Sequence, residues 1–133
     1  MKALDTNALV RFLVRDDEKQ AQAIKKILLD AENKGAVLFI PLAVTLEMVW
    51  VLSSVYEYSR EEIIRALENF LVLSVFHVEE HERVATLCRI AAKQESDPAD
   101  LLIGLTSRDK GCETTLTFDK KAARSDLFTL IQS

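Results

Sequence analysis

Four acidic residues stand where a carboxylate can do chemistry: Asp5, Glu47, Asp100 and Asp119. Asp5 follows the short apolar opening Lys2-Ala3-Leu4, and Asp119 follows the β-favouring run from Thr114 to Phe118. Asp100 lies in the first turn of a helix that Asp97-Pro98-Ala99-Asp100 opens, with a cap, an early proline and an acid three residues on. Glu47 is the one charged residue in GAVLFIPLAVTLEMVWVLSSVY, from Gly35 to Tyr56. An unpaired buried charge costs several kcal/mol, whereas helix propensity favours Glu by only about a few tenths. Glu47 therefore either reaches solvent or an Arg, or is kept at a cleft to hold a cation. If the four acids converge, their repulsion raises their pKa values and destabilises the fold. A hard divalent cation removes that conflict. Mg²⁺ prefers oxygen ligands and retains waters, which suits metal-assisted hydrolysis of a phosphodiester. No set of His and Cys favours zinc.

The elements that must position these acids alternate. Leu4-Asp5 is read as a strand-to-helix junction, with Thr6 and Asn7 starting a helix through Leu9, Phe12 and Leu13. Asp16 and Asp17 open a second helix with an apolar stripe at Ile24, Ile27, Leu28 and Ala31, closed by Gly35. Val37 to Ile40 is a short apolar strand stopped by Pro41, and Leu42 to about Ser54 suits a helix. That helix has no polar face, so a core position on all sides is expected. Ser59 and Glu62 form a capping-box pattern ahead of Ile63, Leu67 and Phe70. Leu73 to Val78 reads as a strand, and Glu79 to about Gln94 as a helix carrying Val84, Leu87, Cys88 and Ala91. The helix opened by Asp97 runs to Gly111, and Thr114 to Phe118 and Phe128 to Ile131 are the last strands. Strands alternating with helices predict an α/β fold, a largely parallel sheet of about five strands flanked by helices. In such sheets the ligand site lies beyond the carboxyl ends of the strands, where Asp5 and Asp119 are placed.

Composition sets the outer bounds. The 133 residues, 49% of them hydrophobic and with only three Gly and two Pro, predict one domain spanning 1–133. Pro41 and Glu47 interrupt the longest apolar run, so no membrane span is expected. An acid at position 5 comes too early for a signal peptide, and a cytoplasmic location follows as the expectation. Cys88 and Cys112 are too few for a disulfide framework, and Cys88 reads as a core thiol. A net charge of −4 argues against broad polyanion binding, so cations must be judged locally.

Leu4-Asp5-Thr6-Asn7, Thr45-x-Glu47, Asp97-x-x-Asp100-Leu101-Leu102-Ile103 and Thr117-Phe118-Asp119 together resemble the PIN-domain ribonucleases. Among these, the set is most similar to the VapC toxins of bacterial and archaeal toxin–antitoxin pairs, in order and spacing over essentially the whole chain. The resemblance implies that Asp5, Glu47, Asp100 and Asp119 form a Mg²⁺ or Mn²⁺ site. Asp5 and Asp100 would be central, and Glu47 and Asp119 would bind through water or complete a second metal position. It implies that Thr6, Asn7 and Thr117 support the carboxylates or the attacking water, and that Asp97 is a cap. It also implies an RNA substrate, a homodimer and a cognate VapB-like antitoxin. Lys120-Lys121 departs from the pattern, because many relatives carry a further acid there.

Arg11 and Arg15 follow Asp5, and Lys120, Lys121 and Arg124 follow Asp119. Each alone reads as a solvated charge; as a set flanking two acids they are candidate phosphate contacts. His77 and His81 straddle a strand–helix junction, which disfavours a shared metal. Trp50 and Met48 are expected in the core or at a dimer contact, and Tyr56 and Tyr58 near a loop facing RNA or antitoxin. Two rival functions stand beside the nuclease. An aspartate-based phosphatase is weaker, because Asn7 occupies the place of its second acid. A non-catalytic RNA- or protein-binding module would be expected to have lost a site acid, and all four are present.

Overall fold

A computed structural model describes residues 1–133, which divide into two compact units, Met1–His81 and Glu82–Ser133. In the first unit, β1 (Lys2–Ala3), β2 (Leu38–Ile40) and β3 (Phe76–Val78) form a parallel sheet in that order. Lys2 is in register with Leu38, and Ile40 with Val78. The connections are helical, as parallel pairing requires: α1 (Thr6–Val14) and α2 (Glu18–Asn33) join β1 to β2, and α3 (Leu42–Ser54) and α4 (Arg60–Leu71) join β2 to β3. In the second unit, α5 (His81–Ala91) and α6 (Pro98–Asp109) precede β4 (Thr115–Thr117), a 3₁₀ turn at Ala122–Arg124 and β5 (Phe128–Leu130). β4 and β5 pair in parallel, with Thr117 beside Leu130. The strands number five and every pairing is parallel, as expected, but they form ladders of three and two instead of one continuous sheet.

Local chemistry explains the helix ends. Asp17 caps α2 by accepting from the Gln20 amide at 3.0 Å, and Gly35 leaves that helix at φ +66°, a region costly for side chains with a Cβ. Ser59 and Glu62 form the reciprocal capping box of α4. Asp97 accepts from the amides of Ala99 and Asp100 at the start of α6. Pro41 has no side chain to cap α3. Glu79, just beyond β3, accepts from the Leu42 amide at 2.8 Å instead. The core of the first unit includes Leu9, Ile40, Met48, Leu52, Leu67 and Phe70, all fully buried; removing such side chains from water yields about 1.5–3 kcal/mol each.

Three expectations need correction. α3 is not buried on all sides. Thr45, Met48, Val49 and Leu52 face the interior, while Glu47 is exposed and Trp50 is 62% exposed. A helix this apolar hides which face is inside, because composition carries no direction. Met48 is thus core and Trp50 is not. The strand expected over Leu73 to Val78 is only Phe76–Val78, since Phe76 donates back to the Leu73 carbonyl and makes a turn there. In the α2 stripe, Ile24, Leu28 and Ala31 are buried, but Ile27 is 46% exposed. Cys88 is a core thiol as read.

Candidate active site

The first unit gathers Asp5, Thr6, Asn7 and Glu47 at the carboxyl end of its parallel sheet. Asp5 leaves β1 and caps α1, its Oδ1 accepting from the Ala8 amide at 2.9 Å. Its Oδ2 is outside that bond. Capping fixes the carboxylate's direction without using it up, so the bland and the chemical readings of Asp5 hold together. The Thr6 hydroxyl donates to Oε1 of Glu47 across 41 residues of sequence, leaving Oε2 clear. Glu47 therefore is not a carboxylate stranded in a core; it lies on the solvent side of α3 and is oriented by α1. These residues line a groove of about 520 Å³ with an apolar wall of Val10, Val44, Val51 and Val55. A smaller cleft of about 260 Å³, between Lys2, Ile27 and Lys34, contains none of the candidate acids.

Arg11 and Tyr56 close the groove's other side. The guanidinium donates to Tyr56 Oη at 2.8 Å, to Asp16 at 3.1 Å and to Gln20 Oε1 at 2.7 Å. Tyr56 in turn donates to Asp16 at 2.9 Å. The Tyr56 hydroxyl, ahead of the Asp16 charge, holds the Arg11 pKa above its ordinary value. Arg11 is thus engaged within the fold, whereas Arg15 is an exposed αL residue at the end of α1. Tyr56 was not legible as a partner, because its contact with Arg11 spans 45 residues. The histidines do not form a pair: His77 packs edge-on against Phe39, and His81 Nε2 lies 3.1 Å from the Leu71 carbonyl.

In the second unit, Asp100 and Asp119 are electrostatic neighbours. Partial burial, then the charges of Asp97 and Asp119, raise the Asp100 pKa above its ordinary value, with Lys121 opposing. Asp119 follows β4. Its amide donates to Thr117 Oγ1 at 3.0 Å, and its Oδ1 accepts from the amides of Lys121 and Ala122 at 2.8 and 3.2 Å. One carboxylate oxygen is again committed to the turn and the other is not. Lys120, Lys121 and Arg124 are exposed around it.

The donors of each unit suit a hard cation. Asp5, Glu47 and Asp119 each keep an oxygen outside the hydrogen bonds that orient them, and Asp100 carries a like-charge conflict that a cation relieves. Neither unit has three or more His, Cys, Asp or Glu side chains gathered closely enough to be a metal cage by themselves.

A parallel α/β chain with acids at the carboxyl ends of its strands has them where sheets of this kind bind ligands. The chain belongs to the PIN domain family, whose model matches residues 2–126. It is similar to a VapC ribonuclease of Aquifex aeolicus (strain VF5), 28% identical over 91% of this chain and 89% of the relative. No solved structure matches it. No helix is long and apolar enough to cross a membrane.

Proposed function

We propose that this protein is a divalent-cation-dependent endoribonuclease and the toxin of a toxin–antitoxin pair. The observation that carries the reading is the state of its acids: held by Thr6, by backbone amides or by a crowded neighbour, yet each with oxygen to spare. Membership of the PIN family over nearly the whole chain supports a single domain spanning 1–133, and the VapC ribonuclease relative supports RNA as substrate. Asp5 and Asp100 are the proposed central ligands of Mg²⁺ or Mn²⁺, with Glu47 and Asp119 completing the set.

A cation held by these carboxylates would supply Lewis acidity, for an attacking water and for charge developing on the phosphate oxygens. The chain's own residues prepare that chemistry. Thr6 fixes the direction of Glu47, and the Ala8 amide fixes that of Asp5. Thr117 and the turn amides do the same for Asp119. Asn7 lines the groove, where its amide is available to orient a water or a phosphate oxygen. Arg15, Lys120, Lys121 and Arg124 are proposed to position the RNA backbone, whereas Arg11, bonded to Asp16, Tyr56 and Gln20, shapes the wall of the groove. A cytoplasmic homodimer silenced by a cognate VapB-like antitoxin completes the proposal.

Cleavage of total RNA by purified protein tests it, with Mg²⁺ or Mn²⁺, with EDTA, and with Asp100→Asn. Fragments that need the cation and vanish in the variant are the expected result. RNA binding without cleavage at any divalent cation would favour the binding module. Equal cleavage by the variant would remove Asp100 from the site.

A further inference from the structure

Phe118 and Leu116 are large apolar side chains left in water, 69% and 64% exposed. They are two apart along β4 and its extension, so they share one face of the two-stranded sheet. Thr129, in register with Leu116, is exposed beside them. This face is next in sequence to the site acid Asp119 and is followed at once by the exposed cations Lys120, Lys121 and Arg124. The turn is already fixed: the Asp119 amide is tied to Thr117, and the Lys121 and Ala122 amides are tied to Asp119. Phe118 is thus presented at low entropic cost, next to a carboxylate that a basic run follows.

We propose that Phe118 is a stacking platform for an unpaired base of the RNA substrate, with Lys120, Lys121 and Arg124 holding the adjoining phosphates. The inference rests on the ribonuclease reading and adds to it the residue that meets a base of the substrate. An aromatic face beside a basic track is how proteins hold single strands, and stacking requires a base free of its duplex partner. A protein partner fits less well. Two side chains of this size offer at most about 400 Å² of apolar area, against about 800 Å² per partner in a stable interface. The cations also matter more in a chain of net charge −4, which repels polyanions elsewhere.

Fluorescence anisotropy of a labelled single-stranded 12-mer RNA in EDTA tests the proposal, with cleavage in Mg²⁺ read in parallel. Phe118→Ala is expected to weaken binding about ten- to a hundredfold. Phe118→Trp restores it, and Phe118→Leu, equally apolar but without a π face, does not. Affinity for duplex RNA is unchanged by all three. Unchanged single-strand affinity in Phe118→Ala, or full affinity in Phe118→Leu, overturns the stacking role. If Phe118→Ala instead lowers self-association in sedimentation with RNA affinity intact, the face belongs to a protein contact and the proposal fails. Wild-type protein that neither binds nor cleaves RNA defeats the ribonuclease reading itself, whereas cleavage insensitive to Phe118 defeats this inference alone.

Discussion

Asp100 is where function and stability pull apart within one residue. Burial and the neighbouring charges of Asp97 and Asp119 raise its pKa in the folded protein. A carboxyl group whose folded pKa lies above its unfolded value costs stability once ionised. That cost is absent below the unfolded pKa, near 3.9, grows as pH rises through the folded pKa, and is complete at neutrality. Asp100→Asn is therefore expected to abolish cleavage while raising the melting temperature of the metal-free protein at pH 7, with the gain shrinking in acid. Thermal denaturation in EDTA across pH checks it; a variant less stable than wild type at pH 7 would show that Asp100 is not under charge strain. Adding Mg²⁺ should stabilise wild type more than the variant. The acids themselves were legible from strand ends and caps, which are local features. Their partners were not: Thr6 meets Glu47 and Arg11 meets Tyr56 only after the chain has folded back. Glu47 was singled out for the wrong reason, since its helix is apolar in composition but exposes that side to solvent.

Whole elements were read most accurately where a cap announced them. Asp17, Ser59 with Glu62, and Asp97 with Pro98 fall at the observed helix starts. Strand lengths were overestimated, because an apolar run such as Leu73 to Val78 does not reveal where extended pairing gives way to a turn. The α4 capping box yields a pH prediction. Bonds from the Ser59 backbone, then from its side chain, hold the Glu62 pKa below the usual range. A depressed carboxylate contributes stability above its unfolded pKa, near 4.3, and loses it as pH falls through the lower folded value. Ser59→Ala is expected to cost about 0.5–2 kcal/mol at pH 7, and Glu62→Gln, which removes the titrating group while leaving the Ser59 backbone N–H in place, to flatten the acid limb of the stability curve, as urea melts at several pH values will show. Gly104 yields a packing prediction. A Cβ there would lie 2.9 Å from Leu127 Cβ and 2.9 Å from Phe128 Cε2, so α6 approaches the start of β5 too closely for any side chain. Ala gains about 1 kcal/mol of helix propensity over Gly, but overpacking costs about 1–3 kcal/mol. Because Leu127 Cβ is close to the backbone and yields little, the clash should win. Gly104→Ala should melt several degrees lower, and an unchanged melting temperature would mean that β5 can shift away.

Across the whole molecule the question is how a chain of net charge −4 holds a polyanion. Attraction has to come from a few local cations, and they are not equivalent. The Arg11 guanidinium is 3.1 Å from Asp16 and is bonded to Tyr56 and Gln20, so its charge is balanced inside the fold. Lys120 and Lys121 are exposed beside Asp119 and have no such counter-ion in hydrogen-bond range. For single strands, the slope of log affinity against log salt changes by about 0.7 for each phosphate neutralised. Replacing Lys120 and Lys121 together by Ala is expected to make that slope shallower by about 1.4 and to weaken binding similarly across sequences, as phosphate contacts do. Arg11→Ala should leave the slope unchanged while altering cleavage, because it removes a wall of the groove that holds Asp5 and Glu47 and frees Tyr56. Salt titrations of RNA affinity for the two variants separate these roles. A shallower slope in Arg11→Ala would mean that the ion pair with Asp16 opens on binding and that the first unit also grips the backbone. An unchanged slope in the double lysine variant would move the phosphate track away from Asp119 altogether.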